Sequence, residues 1–313
     1  MKVGIITFHR AKNIGAMLQT YALQITLSKY FEKCDIIDYR NKNIEDDYRL
    51  KKMTEIKGIK AKIKHLLTLK KNKNFDINRN EFIKKFYKMS KKTYDNSDID
   101  SSNETYDLFF TGSDQVWNSK LNYCDMTYFL NFVKENKKRN SYAASFGSNT
   151  IDDEIKTKIK KELIKFNKIS VREKEGQEII KKMVPQKNVD VVLDPTLLLT
   201  KDEWNEIIDK KSIEKDKYIF IYTIAPAHDI IKYAYKISKE RKLKIIIFNN
   251  SYKKYRGMKN LYNLSPIDFI NYIKNAELIL TSSFHGFCFS VLFNKNFYYE
   301  LDKNKKNNNS RLI

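Results

Sequence analysis

The sequence predicts an α/β fold, because short apolar segments alternate with longer helical segments along nearly all of its 313 residues. Two blocks of this alternation are separated by a charged stretch at 201–216, which indicates two domains. Each block opens on an apolar run of strand length, 2–8 in the first and 218–224 in the second. We therefore expect domains at 1–205 and 206–313, each built around a parallel sheet, with a cleft between them.

The first block begins with a β-α-β unit, in which a helix at 16–30 joins strands at 2–8 and 34–39. Later in this block we expect strands and helices at the following positions: strands at 106–111, 140–146, 169–172 and 189–193, with helices at 152–166 and from 173 to 183. A Lys-rich segment at about 49–92 has helical periodicity, so it is expected to be a basic helical insertion in the first domain.

The second block repeats the alternation over a shorter length. We expect strands at 218–224, 243–248 and 277–280, and helices at 228–240, 266–275 and 284–293. The helix at 266–275 begins with a proline in its first turn, where the missing N–H costs nothing. The second domain is therefore expected to be a smaller sheet of the same kind.

The stretch 278–287 joins a buried strand to an apolar helix through a turn of small hydroxyl residues. Ser282 or Ser283 can cap this helix, whose free N–H groups and positive dipole end favour a phosphate or a carboxylate. His285 lies in the first turn, where it can contact a bound anion and exchange a proton with it. A capped core helix with a hydrogen-bonded histidine is the alternative interpretation.

The net charge of +22 favours an anionic partner, but no nucleic-acid-binding motif accompanies it and the lysines are spread along helices. An anionic or membrane-surface substrate therefore fits better than nucleic acid. The three cysteines, an odd number without a CxxC pair, argue against a disulfide framework and a zinc site. We see neither a signal peptide nor an apolar run of membrane-spanning length, so a cytoplasmic protein is expected.

Seven short motifs follow one another along the chain: GIITFH at 4–9, NIGAMLQ at 13–19, TGSDQVWN at 111–118, SYAASFG at 141–147, SVRE at 170–173, LDPT at 193–196 and TSSFHG at 281–286. Each motif alone is weak, but their order and spacing together resemble the polysaccharide pyruvyl transferase family. The resemblance covers nearly the whole chain apart from the basic segment at 49–92.

The resemblance implies a GT-B-like fold of two Rossmann-like domains facing each other across a cleft. It implies transfer of a pyruvyl group from phosphoenolpyruvate to sugar hydroxyls of a cell-surface polysaccharide or glycan precursor, forming a pyruvate ketal. Phosphoenolpyruvate is then a co-substrate, and neither a cofactor nor a metal is expected. The acceptor would be a glycan, a nucleotide-sugar or a lipid-linked sugar, bound on the N-terminal side, with phosphoenolpyruvate on the C-terminal side.

Three residues match the family's functional positions. The family's functional arginine falls on Arg172, and its histidine at the start of the late helix falls on His285. A family lysine some twenty residues further on falls on Lys305, which could neutralise the departing phosphate. Arg172 offers a bidentate fork for a carboxylate or a phosphate, while Ser282, Ser283 and Gly286 form the helix start around His285.

The N-terminal loops are expected to hold the acceptor. Asn13 and Gly15 lie at a strand-to-helix turn, where glycine permits close approach of a ligand. Asp114 and Gln115 could bind sugar hydroxyls, and Trp117 could stack on a sugar face. The alternative is a turn at 112–114 with a buried tryptophan.

Two further residues have open interpretations. His9 either faces the substrate or is a solvated loop residue. Asp194 is more often a structural end of a strand than a site residue.

The sequence leaves two other functions open. One is a GT-B glycosyltransferase that uses a nucleotide-sugar, although we find no clear acidic partner for its ribose. The other is a truncated, inactive family member, because the family commonly continues past the region of 307–311 and the second domain is then incomplete. For a lipid-linked acceptor, the basic helices near 51–92 would face anionic lipid at the inner membrane face, with a solvated face as the alternative.

Overall fold

A computed structural model describes residues 1–208, 213–224, 228–249 and 253–301. Within these ranges the chain forms two parallel sheets, one of seven strands and one of five, with α-helices between most successive strands. The predicted α/β fold class is therefore confirmed. Lys305 lies outside the described residues.

The strands and helices up to residue 198 are, in chain order, β1 (Lys2–Ile6), α1 (Ile14–Ser28), β2 (Lys33–Tyr39), α2 (Lys42–Tyr48), α3 (Ile59–Phe86), β3 (Met89–Tyr94), β4 (Leu108–Asp114), α4 (Ser119–Asn122), β5 (Arg139–Ala144), α5 (Asp153–Lys165), β6 (Ile169–Val171), α6 (Lys174–Met183) and β7 (Val189–Val191). Those that follow are α7 (Lys201–Ile207), β8 (Tyr218–Thr223), α8 (His228–Arg241), β9 (Lys244–Asn249), β10 (Lys259–Leu261), α9 (Pro266–Asn275), β11 (Leu278–Thr281), α10 (Phe284–Leu292) and β12 (Phe297–Tyr299).

The chain divides into two compact units. The first contains Met1–Arg49 and Phe86–Leu198, and the second contains Leu50–Lys85 and the described residues from Leu199 onwards. A basic insertion at about 49–92 is expected in the first domain from the sequence, whereas residues 50–85 group with the second unit by their contacts. The boundary near residue 205 and the acceptor and phosphoenolpyruvate sides of the two domains stay predictions.

The strand order of each sheet has one point at which the winding reverses. The first sheet has the order β3-β2-β1-β4-β5-β6-β7, and the second has the order β10-β9-β8-β11-β12. The reversals fall between β1 and β4 and between β8 and β11, where the following loops diverge to opposite sides. In doubly wound folds ligands bind at such points, beyond the carboxyl ends of the strands.

The central strands are apolar because both of their faces are covered. All six residues of β8 are buried, as are all four residues of β11. Around α1 the burial is nearly continuous from Ile14 to Gln24, so this helix lies in the core of the first unit rather than on its surface. The loops that leave these elements therefore start from rigid positions.

One correction concerns the segment expected to be helical up to residue 92. Its last part forms β3, an edge strand that pairs with β2. Lys91 and Lys92 are exposed on this strand. Charged side chains of this kind prevent a sheet edge from pairing with a further strand. They also interrupt the apolar pattern by which a strand is recognised in the sequence. The short edge strands β10 and β12 were also not expected from the sequence.

A buried amide joins α1 to the strands beside it. The Gln24 side-chain N–H₂ donates to the carbonyl of Cys34 at 2.8 Å and to the carbonyl of Lys88 at 2.7 Å. Its carbonyl oxygen accepts the Lys88 N–H at 3.0 Å. Gln24 therefore satisfies backbone groups at the start of β2 and just before β3, which the register irregularity between these strands disturbs.

We expect Gln24→Leu to lower the free energy of unfolding by about 1–3 kcal/mol, because it removes the partner of the Lys88 N–H and one of the two donors to the Lys88 carbonyl, which keeps its bond from the Ile36 N–H. Urea denaturation followed by circular dichroism measures this change. Gln186→Leu is the matched control, since Gln186 is exposed. Equal stabilities of the two variants would contradict the structural role of Gln24.

Candidate active site

The residues singled out from the sequence lie at the carboxyl ends of strands in each unit. In the first unit they follow β1, β4 and β6, and in the second they follow β11. Because all strands within a sheet are parallel, each set lies at one edge of its own sheet.

Asn13 is the N-cap of α1. Its side-chain oxygen accepts the N–H of Gly15 at 2.9 Å and the N–H of Ala16 at 3.3 Å. Asn13 is exposed, whereas Gly15 is buried. The capping bonds fix the direction of the chain at this turn. Acceptor binding by Asn13 and Gly15 stays a prediction.

Asp114 ends β4 in a strained conformation. Its φ of 78° lies in the left-handed region, and Ala143 on the neighbouring β5 has a φ of 52°. Such residues cost energy and cluster at functional sites. The Asp114 carboxylate accepts the N–H of Gln115 at 2.8 Å, and the Gln115 side-chain oxygen accepts from the Asn118 amide at 3.1 Å. Both predicted sugar-binding side chains are thus half-buried and ordered by local hydrogen bonds.

Trp117 lies in the core of the first unit. Only 1% of the residue is exposed, and its ring stacks on Phe129 with the centroids 5.2 Å apart. Its indole N–H donates to the carbonyl of Tyr128 at 2.9 Å. Stacking on a sugar would require a ring face that this packing occupies, so Trp117 is structural in the conformation described.

Arg172 is a buried cation held by two carboxylates. Its Nε–H donates to Glu173 at 2.9 Å, and its Nη1–H donates to Asp194 at 3.1 Å. Hydroxyl groups at the ends of two other strands support these acids: Ser145, just after β5, donates to Glu173 at 3.0 Å, and Ser113 in β4 donates to Asp194 at 3.2 Å. Asp194 is thus more than the end of a strand.

The electrostatics of this cluster maintain the charge on the arginine. Burial opposes the charge, but the carboxylates of Glu173, Asp194 and Asp114 outweigh it and raise the pKa of Arg172 above its ordinary value. The guanidinium is therefore a fixed positive charge at the carboxyl edge of the sheet. Recognition of an anion by Arg172 stays a prediction.

His9 is buried rather than solvated, with 2% of the residue exposed. Its Nδ1 lies 3.2 Å from the Thr7 carbonyl, and its Nε2 lies 3.2 Å from the Asp38 carboxylate. Asp38 also accepts from Arg40 and Thr93, each at 2.8 Å. Burial raises the pKa of Asp38, but the hydrogen bonds from His9, Arg40 and Thr93 outweigh it and hold that pKa well below its usual range. This polar cluster links the ends of β1 and β2.

In the second unit, a chain of hydrogen bonds fixes the start of α10. Ser283 is the N-cap, and its hydroxyl oxygen accepts the N–H of Gly286 at 3.4 Å. The Ser283 N–H donates to the Thr281 hydroxyl oxygen at 3.0 Å, and that hydroxyl donates to the Tyr222 carbonyl at 2.7 Å. The turn is therefore anchored to β8 at the point where the winding of the sheet reverses.

Ser282 lies one residue before this cap. Its N–H donates to the Tyr222 carbonyl at 3.3 Å, and its carbonyl accepts from the Tyr299 hydroxyl at 3.0 Å. Its own hydroxyl is buried and makes no hydrogen bond within the part of the chain that the structure describes. A buried hydroxyl of this kind next to a helix start is suited to meet a ligand.

His285 is the second residue of α10 and is 8% exposed. Its ring packs edge-on against the ring of Phe284, with the centroids 5.3 Å apart. His285 therefore shares the helix start with Ser282, Ser283 and Gly286, as predicted from the sequence. Lys305, the third expected cation, falls in 302–313 and so outside the described residues.

The partners of these residues were not predicted from the sequence. Glu173 stood in a quoted motif without a role, and nothing in the sequence pairs it or Asp194 with Arg172. The sequence did contain one indication, because Glu173 and Asp194 each follow a predicted strand. The carboxyl ends of neighbouring parallel strands lie at the same edge of a sheet. The anchoring of the helix start by Tyr222 and Tyr299 had no signal in the sequence.

The second unit also contains a cavity of about 470 Å³. It is lined by Asp229, Ile230, Lys232, Tyr233, Lys236, Leu280, Tyr298, Tyr299 and Glu300. The rings of Tyr233 and Tyr298 meet there with their centroids 4.7 Å apart, and Glu300 accepts the N–H of Ile230 at 2.8 Å. None of the residues predicted to form the site lines this cavity.

Residues 1–208, 213–224, 228–249 and 253–301 contain no group of three or more His, Cys, Asp or Glu side chains that could hold a metal ion. No helix in the same ranges has the length and apolar character needed to cross a membrane.

We expect Asp194→Ala to lower the free energy of unfolding by about 3–5 kcal/mol, because it leaves a buried guanidinium short of a counterion. Asp194→Asn should cost less, since its amide oxygen can still accept from Arg172 and Ser113. Urea denaturation measures both changes, with the exposed Asp190→Ala as control. An Asp194→Ala variant as stable as the control would refute the counterion role.

A Cβ built on Gly286 would clash with the Thr281 hydroxyl and lie 3.1 Å from the Thr281 Cβ. We expect Gly286→Ala to cost about 1–3 kcal/mol of stability through overpacking. Gly176 is a matched control near the start of α6, where a Cβ would make ordinary contacts at 3.4 Å or more. Gly176→Ala should leave stability unchanged or raise it, and thermal unfolding distinguishes the two variants.

Two solved structures share the fold, each with a TM-score of 0.51. One is a protein from Listeria monocytogenes assigned as a UDP-N-acetylglucosamine 2-epimerase, at 11% identity over 95% of this chain and 78% of that chain. The other is S. aureus MnaA with UDP, at 12% identity over 95% of this chain and 78% of that chain. At such identity the likeness concerns the fold alone, and with the two parallel sheets it confirms the GT-B-like class. No curated protein matches the chain significantly.

The family comparison is more specific than the fold. The model of the polysaccharide pyruvyl transferase family matches residues 13–299, which include every predicted site residue except Lys305. The chain belongs to the polysaccharide pyruvyl transferase family.

Proposed function

We propose that the protein transfers a pyruvyl group from phosphoenolpyruvate to sugar hydroxyls of a cell-surface polysaccharide or glycan precursor, forming a pyruvate ketal. The family match over residues 13–299 is the observation that carries this proposal. Membership implies a transferase with a polysaccharide substrate. In this proposal the enzyme works in the cytoplasm, in exopolysaccharide or cell-envelope biosynthesis, with a glycan, nucleotide-sugar or lipid-linked sugar as acceptor.

The start of α10 supports a phosphate-binding role in the second unit. A helix of nine residues presents free N–H groups and a positive dipole end at this point. The buried hydroxyl of Ser282 adds a donor beside it. The phosphate of phosphoenolpyruvate would bind here, close to His285, while Arg172 and Lys305 are the proposed further cations for its two anionic groups.

The reaction requires a proton, two hydroxyls and a leaving group. An acid protonates the methylene carbon of phosphoenolpyruvate, which converts it to a methyl group and leaves the adjacent carbon electrophilic. One sugar hydroxyl adds to that carbon and loses its proton, and the carbon–oxygen bond to phosphate breaks. The second hydroxyl then adds in the same way. The products are one cyclic pyruvate ketal and one inorganic phosphate.

His285 has two proposed roles in this scheme. As the acid it donates the proton to the methylene carbon, and a bound phosphate next to it would favour its protonated form. As a binding group it holds the phosphate by a hydrogen bond. Loss of the acid lowers kcat, whereas loss of the binding group mainly raises KM for phosphoenolpyruvate.

On the acceptor side, we propose that Asn13, Gly15, Asp114 and Gln115 bind the sugar. Their loops follow β1 and β4, on the two sides of the point where the winding of the first sheet reverses. The strained backbone of Asp114 supports a functional role for this residue. Trp117 is left out because its ring is part of the core.

The test is acceptor-dependent release of phosphate from phosphoenolpyruvate, with pooled bacterial nucleotide-sugars and lipid-linked glycans as acceptors. We expect His285→Gln to lower the rate by about 10²–10⁴-fold, as loss of a general acid does. His228→Gln is the matched control because His228 is exposed, and a surface change should leave the rate within about twofold.

The product identifies the reaction. Mass spectrometry of the acceptor should show a ketal-linked pyruvate for every phosphate released. Transfer of the sugar from a nucleotide-sugar, without consumption of phosphoenolpyruvate, would overturn the proposal in favour of a glycosyltransferase. Equal rates for His285→Gln and His228→Gln would exclude His285 from both of its proposed roles.

A further inference from the structure

The first half of α3 carries apolar side chains that face solvent. Ile59 is 78% exposed, Ile63 is 52% exposed, Leu66 is 57% exposed and Leu67 is 75% exposed. Ile77, further along the helix, is 53% exposed. A helix of a globular protein normally turns its apolar stripe towards the core, so this surface requires an explanation.

These five side chains lie on one side of the helix. At 3.6 residues per turn they fall within a sector of about 100°. The buried residues Thr68, Arg79 and Phe82 lie on the opposite side. The helix thus packs through one face and presents a second, apolar face away from it. We call residues 59–77, with the stripe formed by Ile59, Ile63, Leu66, Leu67 and Ile77, the exposed face of α3.

Lysines surround this apolar stripe, and Lys70 interrupts it between Leu67 and Ile77. Between Glu55 and Asp76 the sequence has no acidic residue but contains Lys57, Lys60, Lys62, Lys64, Lys70, Lys71 and Lys73. By helical position, Lys60 and Lys64 border one side of the stripe, and Lys62 borders the other. All three are exposed. An apolar stripe bordered by lysines is the pattern of a helix that lies in a membrane interface, with its ammonium groups at the headgroups.

The charge pattern disfavours a second copy of the chain as the partner. Self-association through this face would follow the heptad positions 59, 63, 66, 70, 73 and 77. Lys70 and Lys73 occupy two of these seam positions and are exposed. In a dimer, their charges would face the same charges of the other copy, or be buried without counterions. A surface that is both anionic and apolar can pair with the charges of the lysines and also bury the apolar stripe.

We propose that the exposed face of α3 binds an anionic lipid surface. Its stripe would enter the boundary between headgroups and acyl chains, and the lysines beside it would contact anionic headgroups. The inference rests on the exposure and charge of α3 alone, so it holds or fails independently of the pyruvyl transfer proposed above. It adds a place of action, since a protein held at a membrane would meet lipid-linked substrates there.

The experiment is co-sedimentation of the full chain with vesicles of phosphatidylcholine alone or with about one-third phosphatidylglycerol. We expect binding to the anionic vesicles only, and weaker binding in high salt. Ile63→Ser/Leu67→Ser should weaken binding by about tenfold or more, because it removes two apolar anchors. Both positions are exposed, so an unchanged melting temperature verifies the fold of the variant.

A matched pair of charge variants separates a specific face from general attraction. Lys60→Gln/Lys64→Gln removes two charges beside the stripe and should weaken binding by about tenfold. Lys156→Gln/Lys160→Gln is the control, because it removes two exposed charges at the same spacing on α5. Since α5 makes no proposed contact with the vesicle, this variant should bind within about twofold of the unaltered chain.

Three outcomes would overturn the proposal. The first is that the unaltered chain does not bind anionic vesicles. The second is that the two charge variants weaken vesicle binding equally, and the third is that Ile63→Ser/Leu67→Ser leaves vesicle binding unchanged. A dimer in sedimentation velocity without vesicles, returned to a monomer by Ile63→Ser/Leu67→Ser, would assign this face to a second copy of the chain instead.

Discussion

The parallel pairing of every strand in both sheets is the constraint on which the rest of the structure depends. A parallel strand cannot be followed directly by its neighbour, so the chain returns across the sheet before each new strand begins. All carboxyl ends of a sheet then meet at one edge. In the first unit, this brings Ser113, Ser145, Arg172 and Asp194 together from four different strands or their ends. A buried guanidinium is tolerated at this edge because the neighbouring strands supply its carboxylates.

The same constraint explains how much of the fold the sequence could predict. Central strands such as β8 and β11 are covered on both faces, so their apolar runs stand out from the helices around them. The edge strand β3 has a neighbour on one side only and carries polar side chains, including the exposed Lys91 and Lys92. The apolar signal of β3 was therefore weak, while β10 and β12 have only three residues each, too few for a pattern to stand out, and none of these three strands was predicted from the sequence.

The candidate site was predictable in part, for a different reason. The cap at Ser283 depends on neighbouring residues, and local sequence can indicate it. The partners of Arg172 lie up to 22 positions away, and the anchoring of the turn by Tyr222 depends on pairing between β8 and β11. Trp117 shows the opposite problem: an aromatic residue in a polar loop suggested a sugar platform, whereas three aromatic rings enclose it. Lys305 lies outside the described residues, so its role stays a prediction.

The burial of the two tryptophans has a spectroscopic consequence. The chain contains only Trp117 and Trp204, and the two compact units hold one each. Trp117 stacks on Phe129, while Trp204 meets the ring of Phe289 edge-on at 5.0 Å and is fully buried. Each indole therefore reports on the packing of its own unit through its emission wavelength. With either tryptophan replaced by phenylalanine, the remaining fluorescence would follow one unit at a time and reveal whether the two unfold together or in sequence.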